Sequence, residues 1–243
     1  MSSLLLRRIH KWIGLVIGIQ LVLWTLSGAV MSMLNHETVA GGPAAAAPPA
    51  VLPSSSGWGE IQSQLAGHKV TALTLRPLLG RYLYALSTDR GSRLFDAESG
   101  RPIFVDAALA ERVARAAYGS DARVGGVAPL AELELAVREH QLPIWRVDFA
   151  DEANSSFYVS GTDGRLLERR SDTWRTWDFF WMLHNMDYAN RTNFNHPLIV
   201  LVGFAALWLA VTGFWLLFRT AWKPDLRALR RRRFSTSAER GLR

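Results

Sequence analysis

Two long apolar runs without a charged residue lie near the two ends of the chain. The first, Trp12 to Leu34, has 23 residues, and the second, Leu198 to Phe218, has 21. About 20 apolar residues in a helix cross the ~30 Å hydrocarbon layer of a bilayer. We therefore predict transmembrane helices at 12–34 and 197–218, the second starting at Pro197 because proline suits a first helical turn. A cleaved signal peptide is the competing interpretation of the first run, but its apolar stretch is too long and AVMSMLNHE is a poor cleavage site.

One face of the first predicted helix collects small residues, with a histidine near each end. At about 100° per residue, six positions fall within about 40° of one line, together with His10 and His36. The six positions are Gly14, Gly18, Leu21, Thr25, Gly28 and Ser32. Such a face lets a second helix or a flat ligand approach the backbone closely, and plain helix packing is the simpler interpretation. The 26 residues from His10 to His36 correspond to ~39 Å of helix, so each histidine is expected near one membrane face.

An aromatic segment precedes the second apolar run. Trp174, Trp177, Trp181, His184 and Tyr188 recur at helical spacing, and a second face holds Arg175, Asp178, Met182 and Asn185. Tryptophans at headgroup depth are typical of a helix at a membrane surface. We therefore predict an interfacial aromatic helix and loop over 173–196. His36 and His196 border the two spans on the same side, and His184 is expected near that depth.

The middle of the chain changes from a linker to the composition of a soluble domain. Residues 35–57 are rich in Ala, Pro, Gly and Ser, which predicts a flexible linker. The pattern beyond it predicts helices at 58–66 and 106–118, with a helical or mixed segment after the second. Strands are predicted near 69–76, 81–87, 92–96, 144–149, 155–160 and 165–170. A recurring order of aromatic strand, acidic turn and strand suggests a weak duplication, with units at 58–104 and 105–172.

Composition and charge restrict the chemistry and the orientation. The chain has no cysteine, so any haem must be held by other ligands, chiefly histidine, without covalent attachment through thiols. Residues 1–11 carry +3, residues 12–218 carry −3 and residues 219–243 carry +7, which sum to the net +7. Because positive flanks stay in the cytoplasm, we expect both termini inside and the middle outside. The basic tail 219–243 is interpreted as a lipid-facing segment and not as a nucleic-acid site.

The soluble middle shows little chemistry of its own. His68 and His140 are isolated and expected at the surface, and the pair Glu132 and Glu134 is expected to be solvated. No metal-spaced cluster, glycine-rich phosphate loop or catalytic triad signature is visible. We therefore expect no active site that lies wholly inside this domain.

Several motifs together resemble the bacterial PepSY-associated transmembrane family. They are RRIHKWIGL with LWTLSG, WMLHNMDY with LAVTGFWLLF, and the turns DAESGR and GTDGR. The resemblance covers nearly the whole chain before residue 222. It implies an α+β membrane protein in which two transmembrane helices flank a periplasmic α+β domain of two PepSY-like helix and antiparallel-strand units. The chain departs from longer members in having two spans where they have four or more, and Asn-Met-Asp where a glycine commonly follows the Leu-His motif.

The resemblance also implies a cofactor, because family members are implicated in reducing ferric siderophores with b-type haems held by histidines. It implies His10, His36, His184 and His196 as cofactor-binding residues, with His36, His184 and His196 as axial ligands of the haem iron. On the outer side His36 can face either His196 or His184. On the inner side only His10 is available, so a complete site there needs a second chain or another subunit.

Two functions of different classes follow from these observations. The first is a haem-b subunit that passes electrons across the bacterial inner membrane to a periplasmic acceptor such as a ferric siderophore. It would be an oxidoreductase subunit, and a separate cytoplasmic or membrane electron donor is required because no flavin or nicotinamide motif is present. The second is a non-enzymatic, membrane-anchored PepSY module that binds or restrains a periplasmic partner such as a peptidase. A monomer and a homodimer both remain open, and no nucleic-acid partner is expected.

Overall fold

A computed structural model of the chain describes residues 3–42, 50, 56–119, 121–189, 191 and 195–222. Most of the predicted linker 35–57 and of the basic tail 219–243 lies outside the described residues. The chain divides into two compact units. We call residues 1–30 with 180–243 the helical unit, and residues 31–179 the central unit.

Two long helices dominate the helical unit. Helix α1 is Ser3–Met33, and helix α6 is Pro197–Leu217, continued by a π-helical turn at Phe218–Trp222. Both are long and apolar enough to cross a membrane, as the charge-free runs predicted. Large apolar side chains face outward on both helices, as lipid requires. They include Leu15, Val16, Ile19, Val22 and Leu26 of α1, and Leu201, Phe204, Leu207, Val211 and Phe214 of α6.

The packed face of α1 is rotated from the predicted stripe of small residues. Ser27 and Ile17 are 1% and 6% exposed, whereas the stripe residues Leu21, Thr25 and Ser32 are exposed. The packed positions centre about 80° from the predicted line, so Gly14 and Gly28 lie only at their edge. Within the helical unit the closest packing of α1 is therefore centred away from the stripe, although its glycines Gly14 and Gly28 lie close to Leu209 and His184.

His36 does not continue the line of α1, which ends at Met33. Asn35 has an extended backbone, and its side-chain oxygen accepts hydrogen bonds from the N–H groups of Glu37 and Thr38 at 2.8 and 3.2 Å. This cap starts a new short helix, α2, at His36–Val39. The prediction that one helix of ~39 Å carries His10 and His36 at its two ends was therefore wrong.

The first half of the central unit is a helix followed by a four-stranded antiparallel sheet. Helix α3 is Trp58–Gln64, and the strands are β1 Val70–Leu78, β2 Arg81–Thr88, β3 Gly91–Asp96 and β4 Pro102–Ile103, in that order across the sheet. Ile61 and Leu65 cover one face of the sheet by packing on Leu86 and Phe95. Residues of the opposite parity, such as Arg76, therefore face the other side.

The second half repeats this order. Helix α4 is Ala107–Tyr118, and the strands are β5 Val124–Pro129, β6 Ile144–Phe149, β7 Ser156–Ser160 and β8 Leu166–Arg170, again antiparallel and in sequence order. The Asp106 carboxylate caps α4 by accepting the N–H of Leu109 at 2.8 Å. The six predicted strands and two predicted helices lie within two residues of the observed bounds. The two flanking helices and the α+β middle confirm the expected fold class.

The segment after α4 was predicted to be helical or mixed, but it contains strand β5. A 3-10 turn at Leu135–Val137 follows it. Strand β5 reads VGGVAP, and two glycines and a proline conceal the alternation by which strands are recognised. The strand forms because β6 pairs with it, from Val124 opposite Phe149 to Pro129 opposite Trp145.

The aromatic segment forms helix α5, Asp172–Asn185, and Tyr188 lies beyond its end. Met186, with φ 57°, has the left-handed conformation that often follows a helix. Asp178 and Asn185, on the second face of this helix, are buried at 2% and 3% exposure, so that face packs against protein. Asp178 pairs with Arg138, and Trp174 packs on Tyr158, because the first turns of α5 complete the core of the second half.

Candidate functional site

His10, near the first turns of α1, is packed against a hydroxyl and a glycine of α6. Its Nδ1 lies 2.7 Å from Oγ1 of Thr212, and its Cε1 would lie 3.5 Å from a Cβ placed on Gly213. The ring of Trp208 lies 6.2 Å from the imidazole, centroid to centroid. A Cβ on residue 213 would be in ordinary van der Waals contact with the imidazole, so the ring lies close to the backbone of α6 beside this glycine.

His184, in the last turn of α5, is packed in the same way against α1. Its Nδ1 lies 3.2 Å from Oγ of Ser27, and its Cε1 would lie 3.4 Å from a Cβ placed on Gly28. Both histidines thus contact a hydroxyl residue followed directly by glycine, in the sequences LSG and VTG. His10 and Ser27 are 17 residues apart on α1, which corresponds to ~26 Å along the helix, close to the hydrocarbon thickness of a bilayer.

The hydroxyl groups determine which imidazole nitrogen carries the hydrogen. Ser27 donates to the carbonyl of Leu23 at 2.6 Å, and Thr212 donates to the carbonyl of Trp208 at 2.8 Å. A hydroxyl has one hydrogen, so its oxygen can only accept from the imidazole Nδ1–H. The lone pair of His10 and of His184 is then on Nε2. Among the described residues, neither Nε2 has a hydrogen-bond partner.

His196 has the opposite arrangement. It is half-buried as the N-cap residue of α6, and its Nε2 lies 2.7 Å from the backbone carbonyl oxygen of Asn185. A carbonyl only accepts, so Nε2 carries the hydrogen and the lone pair is on Nδ1. His196 could ligate a metal through Nε2 only if it gave up this hydrogen bond.

His36 is exposed at the first position of α2. It belongs to the central unit, whereas the other three predicted ligands belong to the helical unit. Its imidazole has no hydrogen-bond partner within the described ranges. The structure therefore places the two nitrogens of His36 free for a ligand, but does not hold the ring in one orientation.

Orphaned donors accompany His184 in the helical unit. Asn185 is buried and its Nδ2 has no hydrogen-bond partner, and the indole Nε1 of Trp24, one turn before Gly28, is in the same condition. Buried hydrogen-bond donors without an acceptor are uncommon in folded proteins, so these two indicate that an acceptor group is absent. Within the described residues, no three His, Cys, Asp or Glu side chains form a metal cage. Isolated imidazoles suit a metal that brings its own equatorial ligands, as haem does.

Three residues of the central unit differ from expectation. His140 and His68 were predicted at the surface, but both are half-buried, His140 with Nε2 2.9 Å from Glu168 and His68 with Nδ1 3.7 Å from Asp89. Glu134 was predicted to be solvated, but it accepts the Tyr158 hydroxyl at 2.7 Å and pairs with Arg146. Burial, the Glu134 hydrogen bond and its charge together raise the pKa of Tyr158. These groups bind one another and complete the core of the central unit.

The residues that sequence reasoning missed as site residues are Ser27 and Thr212. The sequence did contain a signal for them, because each is a hydroxyl residue followed directly by glycine inside a charge-free run. Gly28 alone was placed in the stripe of small residues, and only the packing shows that each pair receives an imidazole.

Comparison with known proteins assigns the chain to one family. A family model described as the PepSY-associated TM region matches residues 7–240, nearly the whole chain. No curated protein and no solved structure matches the chain. The match includes both hydroxyl–glycine pairs and all six histidines.

Proposed function

Because this chain belongs to the PepSY-associated transmembrane family, a family of membrane-associated PepSY modules, we propose that it is a haem-b electron-transfer subunit. It would carry electrons across the bacterial inner membrane to a periplasmic acceptor such as a ferric siderophore. One observation carries the proposal: His10 and His184 each have Nδ1 bonded to a hydroxyl and Nε2 free, at positions that lie ~26 Å apart along α1.

This arrangement fits the requirements of an axial haem ligand. A ligating histidine is neutral, offers a lone pair from one nitrogen, and donates its other N–H to a group that fixes the ring. Thr212 and Ser27 supply that group, and Gly213 and Gly28 leave the space beside the ring. The orphaned Nδ2 of Asn185 provides a donor for a polar group of the cofactor.

The second axial ligand differs between the two ends. At the His10 end we propose His10 of a second copy, since no other histidine precedes residue 36. At the His184 end His36 and His196 are the candidates, and His196 is disfavoured because its Nε2 donates to the Asn185 carbonyl, which leaves only Nδ1, the more hindered nitrogen beside Cβ, for the iron. When bound between two histidines, haem b transfers one electron at a time and has no open coordination position.

The charges of the chain give the direction of transfer. Arg7, Arg8 and Lys11 precede the first span, so the His10 end is proposed to be cytoplasmic and the His184 end periplasmic. A separate donor would supply electrons at the His10 end. Each electron that leaves at the other end would reduce one ferric ion of the acceptor to ferrous.

The test is a visible spectrum of the detergent-purified protein, oxidised and then reduced with dithionite, with a pyridine haemochrome assay. We expect a b-type reduced α-band that decreases in His10→Ala and in His184→Ala. His196→Ala should retain more haem than His184→Ala, and His140→Ala, outside the helical unit, should match the unchanged protein. A protein that stays colourless when expressed with haem supplied would overturn the proposal and favour a membrane-anchored PepSY module that restrains a periplasmic partner.

A further inference from the structure

A cleft in the central unit lies between the face of the first sheet that α3 does not cover and the turn that joins β7 to β8. Its larger part has a volume of about 460 Å³ and is lined by Leu94, Ile103, Phe104 and Gly161 among others. A second part of about 240 Å³ contains Arg76 and Arg165. The two parts share Ser92, Arg93 and Thr162 as lining residues, so they form one continuous cleft. Its volume is in the ~300–1,000 Å³ range of small-molecule sites.

The turn that forms one wall of the cleft is held in place. Ser160 accepts the N–H of Asp163 at 3.2 Å and bonds the Thr162 hydroxyl at 2.9 Å. Gly161 donates its N–H to the Pro143 carbonyl at 2.8 Å. Gly164, with φ 67°, lies so close to the first sheet that a Cβ there would be 3.3 Å from Leu78. The cleft is therefore formed before any ligand arrives, which reduces the entropy lost on binding.

Arg76 on β1 lies in the cleft with its hydrogen-bonding capacity unused. Its Nε and Nη2 atoms are buried and have no hydrogen-bond partner, and no salt bridge joins it to a carboxylate among the described residues. Burial lowers the pKa of Arg76, and the nearby Asp163 carboxylate opposes that change. Arg76 itself is half-buried, but buried donors are normally paired, so two unpartnered donors on a residue that lines the cleft indicate a missing acceptor beside its guanidinium.

The charges around the cleft do not balance. Arg76, Arg93 and Arg165 contribute three positive charges, and Asp163 contributes one negative charge. Asp163 forms an ion pair with Arg165, and among the described residues no salt bridge joins a carboxylate to Arg76 or Arg93. Burial by itself raises the pKa of Asp163, but hydrogen bonds from Ser160 and Arg165 outweigh it and hold the pKa below its usual value. Asp163 is thus ionised at neutral pH, and the excess is two positive charges.

We propose that this cleft is a binding site for a small organic anion with two or more carboxylate or phosphate oxygens. The planar guanidinium of Arg76 suits such oxygens, since it can donate two parallel hydrogen bonds. Arg93 is exposed and lines both parts, but it pairs with Leu86, so its side chain leaves β3 on the α3-covered face and adds its charge away from the Arg76 guanidinium. Ser92 and Thr162 offer hydroxyl groups, and the apolar wall of Ile103 and Phe104 accommodates the remainder of the ligand.

The test is isothermal titration calorimetry of the full chain in detergent, with citrate and with inorganic phosphate, at constant chloride concentration. Arg76→Lys keeps the positive charge but removes the planar guanidinium that can donate two parallel hydrogen bonds. Arg93→Gln removes an exposed positive charge that the fold does not need. We expect Arg76→Lys to weaken binding at least about tenfold, since charged hydrogen bonds are lost, and Arg93→Gln to have a smaller effect. Arg112→Gln, an exposed residue of α4 outside the cleft, removes the same charge as a control and should change affinity less than about twofold.

Each outcome bears on the proposal. Binding of citrate alone assigns the site to carboxylates, binding of phosphate alone assigns it to phosphate groups, and either result supports it. The proposal is overturned if neither anion binds at millimolar concentration, if Arg76→Lys has no effect, or if Arg112→Gln weakens binding as much as Arg76→Lys. The heat of binding does not depend on haem, so a colourless protein that binds citrate would retain this site while refuting the electron-transfer proposal.

Discussion

His184 and Ser27 are 157 residues apart in the sequence, yet the imidazole Nδ1 lies 3.2 Å from the serine hydroxyl oxygen. His10 and Thr212, 202 residues apart, repeat the contact at 2.7 Å. In both cases the hydroxyl donates back to the carbonyl four residues earlier, and the next residue is glycine. The same local device thus fixes two imidazoles near opposite ends of α1 and leaves Nε2 of each available.

Removing the Thr212 hydroxyl should loosen His10 without disturbing the helix pair. Thr212→Val keeps the shape of the side chain but leaves His10 Nδ1 without an acceptor. Loss of such a supporting hydrogen bond costs about 10–100-fold in metal affinity, so we expect lower haem retention at this end. Thr212→Ser, which keeps the hydroxyl, should match the unchanged protein. The pyridine haemochrome ratio measures the difference, and equal retention in the two variants would contradict the role of the hydroxyl.

A side chain at Gly28 should displace His184, whereas the same change at Gly18 should not. The Cβ of a residue at position 28 would already lie 3.4 Å from the imidazole Cε1, and nothing lies within 4 Å of the corresponding point at Gly18. We expect Gly28→Leu to lose haem and to lower the thermal unfolding midpoint. Gly18→Leu should preserve both. Identical spectra and melting curves for the two variants would show that the ring does not need the glycine.

Removing Asp178 should destabilise the central unit strongly. Asp178 is 2% exposed and pairs with Arg138 at 3.2 Å, so Asp178→Ala removes a buried carboxylate together with its ion pair to a half-buried guanidinium. Breaking a buried pair in this way costs about 3–5 kcal/mol. Denaturant unfolding in detergent, followed by tryptophan fluorescence, measures the change. Asp172→Ala, which removes an exposed partner of Arg175, is the matched control and should have a much smaller effect.

Acid should unfold the central unit partly through Asp151. Burial alone raises its pKa, but hydrogen bonds from Ser155 and from the Tyr118 hydroxyl outweigh it and hold the pKa below the usual 3.8. The folded state then binds the proton less readily than the unfolded chain. The stabilisation is present above about pH 4 and is lost as the pH falls through the lower folded value.

Melting curves followed by circular dichroism from about pH 6 to about pH 3 test this dependence. The midpoint of the unchanged protein should fall more steeply below about pH 4 than that of Asp151→Asn, because an amide does not titrate. Glu152→Gln, at the exposed neighbouring position, should leave the slope unchanged. If the unfolding midpoints of Asp151→Asn and the unchanged protein fall in parallel with pH, other carboxylates control the loss of stability in acid.

Local patterns predicted those parts of the fold whose residues interact with near neighbours. The two spans follow from runs of charge-free residues, and strand β2, Arg81–Thr88, follows from alternation over eight residues. Strand β5 was missed because its glycines and proline carry no such pattern, and pairing with β6 creates it. The cap at Asn35 is also a local feature, since its hydrogen bonds reach only two and three residues ahead. It was missed because the helical periodicity continues past it.

By itself the sequence determined the membrane spans, the α+β class of the middle, and the set of histidines from which any ligand must come. Only the tertiary structure decided that His10 and His184 are held through Nδ1, that His196 is bonded through Nε2, and that Arg76 faces a cavity without a partner. The physical reason is the distance along the chain over which each signal acts. Periodicity reports the face of its own helix or strand on which a residue lies, whereas a hydrogen bond between residues 157 positions apart depends on how whole elements pack.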